Sequence, residues 1–132
     1  MKYFSIEEMT KSDTAKAKGI DNTPSQEVID NLTKLIEAVL DPLRELWGSA
    51  IVINSGYRCE ELNKAVGGVS TSHHKLGCAA DITVGSVEKN KELFNKLLNS
   101  DLKWTQAISE KGCRWIHISY VENNLKKQVL YT

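Results

Sequence analysis

The stretch "NTPSQEVIDNLTKLIEAVLDPLRELWG", residues 22–48, constrains the fold more than any other. Val28, Ile29, Leu32, Leu35, Ile36, Val39, Leu40 and Leu43 recur every three or four residues. That period puts them on one stripe of a helix, and an apolar stripe needs a partner surface to bury it. Thr23 followed by Gln26 reads as a capping box, with Pro24 at the first helical position. Pro42 has no backbone N–H to give and is expected to kink or end the helix. Gly48 stands where a C-terminal cap belongs. A chain of 132 residues has room for one such core, so a single domain spanning 1–132 is expected.

The other segments supply that partner surface. "SIEEMT" in the polar N-terminal twenty residues has the look of a short helix, and "RCEELNKAVGG" of another stopped by Gly67 and Gly68. "SVEKNKELFNKLLNS" begins at a serine N-cap and carries Leu93, Phe94, Leu97 and Leu98 on one side. "AIVINSG", "CAADITV", "KWTQAIS", "RWIHISYV" and "KQVLYT" are short, rich in β-branched or aromatic residues, and read as strands. "EKGC" suits a hairpin and "ENNLK" a looser link, so the last three strands are expected to pair antiparallel. The fold class is α+β, with helices packed on a small antiparallel sheet.

The charges exclude some functions. Seventeen basic and seventeen acidic residues balance, so there is no basic footprint for nucleic acid. No run approaches the ~18 apolar residues of a membrane span, so no membrane insertion is expected. The N-terminus lacks the apolar core of a secretory signal. Three cysteines, Cys59, Cys78 and Cys113, make an odd count and are expected as thiols formed in the cytoplasm.

"SHHKLGCAADI", residues 72–82, carries two of the three histidines and an aspartate leading into a strand. The third, His117, lies in "RWIHISY", where alternation sets Trp115, His117 and Ser119 on one face. A mid-strand histidine beside large apolar residues needs a partner, and so does Asp81, whose carboxylate is expected to enter the interior. Seven residues and a glycine separate His74 from Asp81, enough for a turn to fold the ring back. His74, Asp81 and His117 form a two-nitrogen, one-oxygen set that suits Zn²⁺ and leaves a fourth position for water. Taken alone, His117 reads first as a satisfied core histidine, and Cys78 with Cys113 could complete a closed structural zinc site.

Residues 72–81 also fit the pattern Ser-x-His-x-x-Gly-x-Ala-x-Asp. This resembles the zinc D-Ala-D-Ala carboxypeptidases of peptidase family M15. "SGYRC" upstream is similar to that family's Ser-Gly-Tyr-Arg segment, "WIHIS" to its second-histidine strand, and "FSIEEMTKSDTAKAKGIDNTP" to the lead of small phage and prophage members. The resemblance implies one zinc ion held by His74, Asp81 and His117. It implies Arg58 on a substrate carboxylate, Ser72 in the peptide groove and His73 as a neighbour. It also implies the fold shared with the hedgehog signalling domain, and hydrolysis of peptidoglycan stem peptides at a D-Ala-D-Ala or L-Ala-D-Glu bond.

One position departs from the pattern. Many members carry an acid three residues before the second histidine, where this chain has Arg114. Glu110, seven residues before His117, is the candidate general base, and Glu122 the fallback. A non-catalytic zinc-binding module of the same fold is the alternative. A small single domain is expected as a monomer, and without a secretory signal it is expected to be made in the cytoplasm; the resemblance implies action on the cell wall after release or as part of a phage particle.

Overall fold

A computed structural model describes residues 1–132. Helices α1 (Ile6–Thr10) and α2 (Asp13–Lys18) lead into α3 (Gln26–Leu35), a π-helical turn (Ile36–Leu40) and α4 (Asp41–Trp47). Strand β1 (Val52–Ser55), α5 (Glu60–Ala65), a 3₁₀ turn (His73–Leu76) and β2 (Ala79–Thr83) follow. Then come α6 (Val87–Leu98), β3 (Gln106–Glu110), β4 (Trp115–Ser119) and β5 (Gln128–Tyr131). The α+β class expected from the pattern is the one observed.

The long apolar stripe behaves as its period dictates. Leu32, Leu35, Ile36, Val39, Leu40 and Leu43 are fully buried. The helix start differs from expectation: Ser25 is the N-cap and accepts from the Val28 N–H. Thr23 is drawn off by Asp21, whose carboxylate takes both its N–H and its hydroxyl. Pro42 does not end the helix. The turn before it widens to π geometry, with Asp41 N–H bonding Ile36 C=O, which absorbs the missing donor without a break. Gly48 closes the helix in the left-handed conformation, φ 80°.

The sheet order is β1-β2-β4-β3-β5. The first three pairings are antiparallel. β5 lies parallel to β3, against the expectation that all late strands pair antiparallel. The link after β4 does reverse the chain, but β2 and β3 already occupy both edges of β4. The last strand therefore takes the outer edge of β3. Ala80, Ile82, Ala107, Ile116 and Ile118 point to one face, where the helices cover them. The other face carries Asp81, Ile108 and His117 and stays open.

One buried polar residue ties the layers together. Asn90 of α6 is 1% exposed and accepts from the Val84 N–H at 2.7 Å. Its amide donates to the carbonyls of Cys113 and Arg114, each at 3.0 Å. It thereby pins the β3–β4 hairpin turn, where Lys111, Gly112 and Cys113 all have positive φ. Asn90→Ala should strip these partners and lower stability by about 2–4 kcal/mol. A denaturant midpoint equal to wild type would show that the hairpin is held otherwise.

Candidate metal centre

The site begins at Gly56, just after β1. A Cβ there would collide with the Met9 backbone, whose carbonyl accepts from Tyr57 N–H at 2.7 Å. Glycine lets the chain pass α1 closely enough to aim the Gly56 carbonyl inwards. That carbonyl accepts from His74 Nδ1 at 2.6 Å. The 3₁₀ turn holding His74 is capped by Ser72, whose hydroxyl accepts the His74 N–H, and is closed by Gly77 at φ 75°. Arg58 N–H bonds the His74 carbonyl, locking the turn to the end of β1.

With Nδ1 donating, His74 Nε2 carries a lone pair, and it faces Asp81 Oδ1 at 3.3 Å. Across the β2–β4 pairing Asp81 sits opposite His117, whose Nδ1 lies 3.0 Å from the same oxygen. The two rings meet edge to face, centroids 5.1 Å apart. Asp81 does not enter the core as expected. Ala80 and Ile82 take the buried positions, and strand alternation turns the carboxylate to the open face, 18% exposed. Burial alone pushes the Asp81 carboxyl up. When the His117 and His74 rings are protonated, their hydrogen bonds and positive charge outweigh it and hold the group below the usual carboxylate range.

Ligand atoms of His74, Asp81 and His117 all lie within 4.8 Å of one another. A lone pair facing a carboxylate oxygen at these distances is repulsive unless a cation or proton lies between them. Tetrahedral zinc ligands at 2.0–2.2 Å lie about 3.3–3.6 Å from each other, close to the separations here. The donor set therefore fits one zinc ion. Cys78 and Cys113 do not join it: the first is buried beside the Leu76 carbonyl and the second is in the main core. Cys59 caps α5. The closed two-cysteine site is overturned by burial on the wrong face.

A cleft of about 550 Å³ opens around the three side chains. Arg58, Ser72, His73 and Glu110 all line it. Arg58 Nε is buried and has no hydrogen-bond partner. Burial pulls the guanidinium below its ordinary value, and Asp81 opposes that shift. His73 faces the cleft without joining the triad, its pKa lowered by burial and then by His117, Lys126 and His74. Glu110 pairs with Trp115, and Ile108 with His117, so Glu110 is a diagonal neighbour of His117 on the same face. Its carboxylate accepts from the Thr132 hydroxyl at 3.4 Å. Glu122 lies outside the cleft and pairs with Lys34 at 3.1 Å. Gln106, Ile108 and Lys126 also line it, beside Gly68, Val69 and Thr71, and were not singled out from the sequence. Strand alternation out from His117 points to the first two; nothing local marks the third.

Fold and site together define a small α+β protein with two histidines and one carboxylate placed so that they could hold a metal ion. Peptidases of this chemistry are known as a family. The family model described as Peptidase M15 matches residues 2–119, and the chain belongs to that family. M15 members are zinc peptidases. A search of curated proteins found no match to the chain.

Metal-free protein should take up one zinc per chain. At a hundredfold excess over Kd, zinc should add about 2.7 kcal/mol, a Tm rise on the order of 10 °C. His117→Ala should abolish both the uptake and the rise. A Tm indifferent to zinc in wild type would remove the metal centre. Gly56→Ala should weaken zinc binding by about 10–100-fold through the misplaced His74 partner, read by competition with a chelating dye.

Proposed function

We propose that this chain is a zinc peptidase acting on bacterial peptidoglycan stem peptides, at a D-Ala-D-Ala or L-Ala-D-Glu bond. The observation that carries it is the convergence of His74 Nε2, His117 Nδ1 and Asp81 Oδ1 at the floor of a cleft. Membership of the M15 family supports the peptidase class. His74, Asp81 and His117 would hold the ion, which would supply a coordinated water with its pKa lowered towards about 7 and a Lewis acid for the scissile carbonyl.

The protein's own residues do the rest. Glu110 accepts a proton from the attacking water and returns it to the leaving amine. Its diagonal position beside His117 supports this, because the acid reaches the cleft from the strand rather than from the turn. Arg114, in the position many relatives use for the acid, is exposed in that turn and does not line the cleft. Arg58 holds a substrate carboxylate through its planar fork, which its unpartnered Nε favours. Ser72 lines the groove while its hydroxyl fixes the His74 turn. The enzyme works as a monomer. It reaches the wall after release from the cell or as part of a phage particle; no helix is long and apolar enough to cross a membrane.

Zinc-loaded protein should release muropeptides of defined mass from purified peptidoglycan. Glu110→Gln should cut kcat by about 10²–10⁴-fold while keeping one zinc per chain. Full activity in that variant would move the base elsewhere. No product from wild type would favour the non-catalytic alternative.

A further inference from the structure

The cleft is lined by two carboxylates, Asp81 and Glu110, and two cations, Arg58 and Lys126. Both carboxylates are engaged, one by the histidines and one by Thr132. Neither cation has a carboxylate within 4.0 Å, although three lysines elsewhere in the chain pair with glutamates. With a divalent ion bound, the cleft carries net positive charge and calls for an anionic ligand.

The two cations stand on opposite flanks. Arg58 follows β1, the outermost strand on one side; Lys126 precedes β5, the outermost on the other. Asp81 and His117 lie on β2 and β4 between them. A peptide laid across the strands passes one cation, then the metal, then the other.

The position of Lys126 is built into the loop that carries it. At one end Val121 N–H bonds Thr105 Oγ1 at 2.8 Å. At the other, Lys127 N–H bonds the Trp104 carbonyl and Gln128 N–H the Thr105 carbonyl, each at 3.0 Å. Lys127 sits at φ 53°, a conformation L-residues seldom adopt. Its side chain turns away to lie over the Trp104 ring, 4.6 Å from the centroid. Adjacent lysines are thus split: Lys127 is used on the loop and Lys126 is left at the cleft mouth beside His73.

Resting on the peptidase assignment above, we infer that Lys126 is a second carboxylate anchor, opposite Arg58 across the metal. The preferred peptide then carries a carboxylate on each side of the bond at the metal centre. Stem peptides offer such pairs through the free carboxylates of γ-linked D-glutamate, a diaminopimelate residue and the C-terminus. Lys126 acts on binding, and so on KM rather than kcat.

The test uses the zinc-loaded 132-residue chain and two synthetic probes: the stem pentapeptide L-Ala-γ-D-Glu-diaminopimelate-D-Ala-D-Ala, and its analogue with every carboxylate amidated. Affinity is read by calorimetry, so that no turnover is needed. Lys126→Met should weaken the acid peptide by about three- to tenfold, less at high salt. Lys126→Arg should restore it, and Lys127→Met should leave it unchanged. Amidation should erase the difference between Lys126→Met and wild type. Equal affinity of Lys126→Met and wild type for the acid peptide overturns the anchor, as does an equal loss on the amidated probe or no binding by wild type. The expected pattern without bond cleavage would keep the anchor and remove the hydrolase; cleavage with no Lys126 effect would do the reverse.

Discussion

The hydrogen bond from His74 Nδ1 to the Gly56 carbonyl decides what the rest of the site can be. It fixes which nitrogen carries the proton, and so presents Nε2 as a lone pair to Asp81. Without it the ring could turn its N–H to the carboxylate, and the pair would be a satisfied hydrogen bond with no need of an ion. The bond exists because three unrelated segments meet: the chain leaving β1, the capped turn before β2, and the Met9 backbone that Gly56 must pass. The site is thus positioned by backbone geometry first and by side chains second.

Strand register then does what loops cannot. Asp81 opposite His117, and His117 opposite Ile108, put the acid, the second histidine and the approach to Glu110 on one open face. Slipping either pairing by one residue would send these groups into the core and Ile82 or Ile116 into water. The burial of those isoleucines therefore enforces the metal geometry. Stability and chemistry share the same alternation, one on each side of the sheet.

Much of this was legible in the chain, for local reasons. The helical stripe, the serine cap of α6 and the alternation around His117 depend on neighbours in sequence, and each appears where its period puts it. The meeting of His74, Asp81 and His117 was readable because a resemblance joined segments that spacing alone leaves apart. What was not legible depends on distant partners. Helix α2, capped by Ser12, leaves no periodic signal, because Ala15 is the only one of its own residues that is buried. The cap at Ser25 rather than Thr23 turns on whether Asp21 claims the threonine. The parallel β5 follows from which edges were already taken, and Asp81 faces the open side, which its alanine neighbours do not reveal because they signal burial without saying on which face.

Lys126 shows where such reading stops. Its immediate context, "NLKKQ", is an ordinary polar link, and either lysine could face either way. The choice is made by Trp104 and Thr105, some twenty residues earlier, which accept the loop's N–H groups and offer a ring to Lys127. The strained φ at Lys127 is tolerated because those bonds hold the chain on both sides of it. The electrostatics of the cleft thus depend on a tryptophan that is itself buried in the core, at 1% exposure. Core packing sets the ends of the strands, the strand ends set the loops, and the loops set the sign of the charge that a ligand meets.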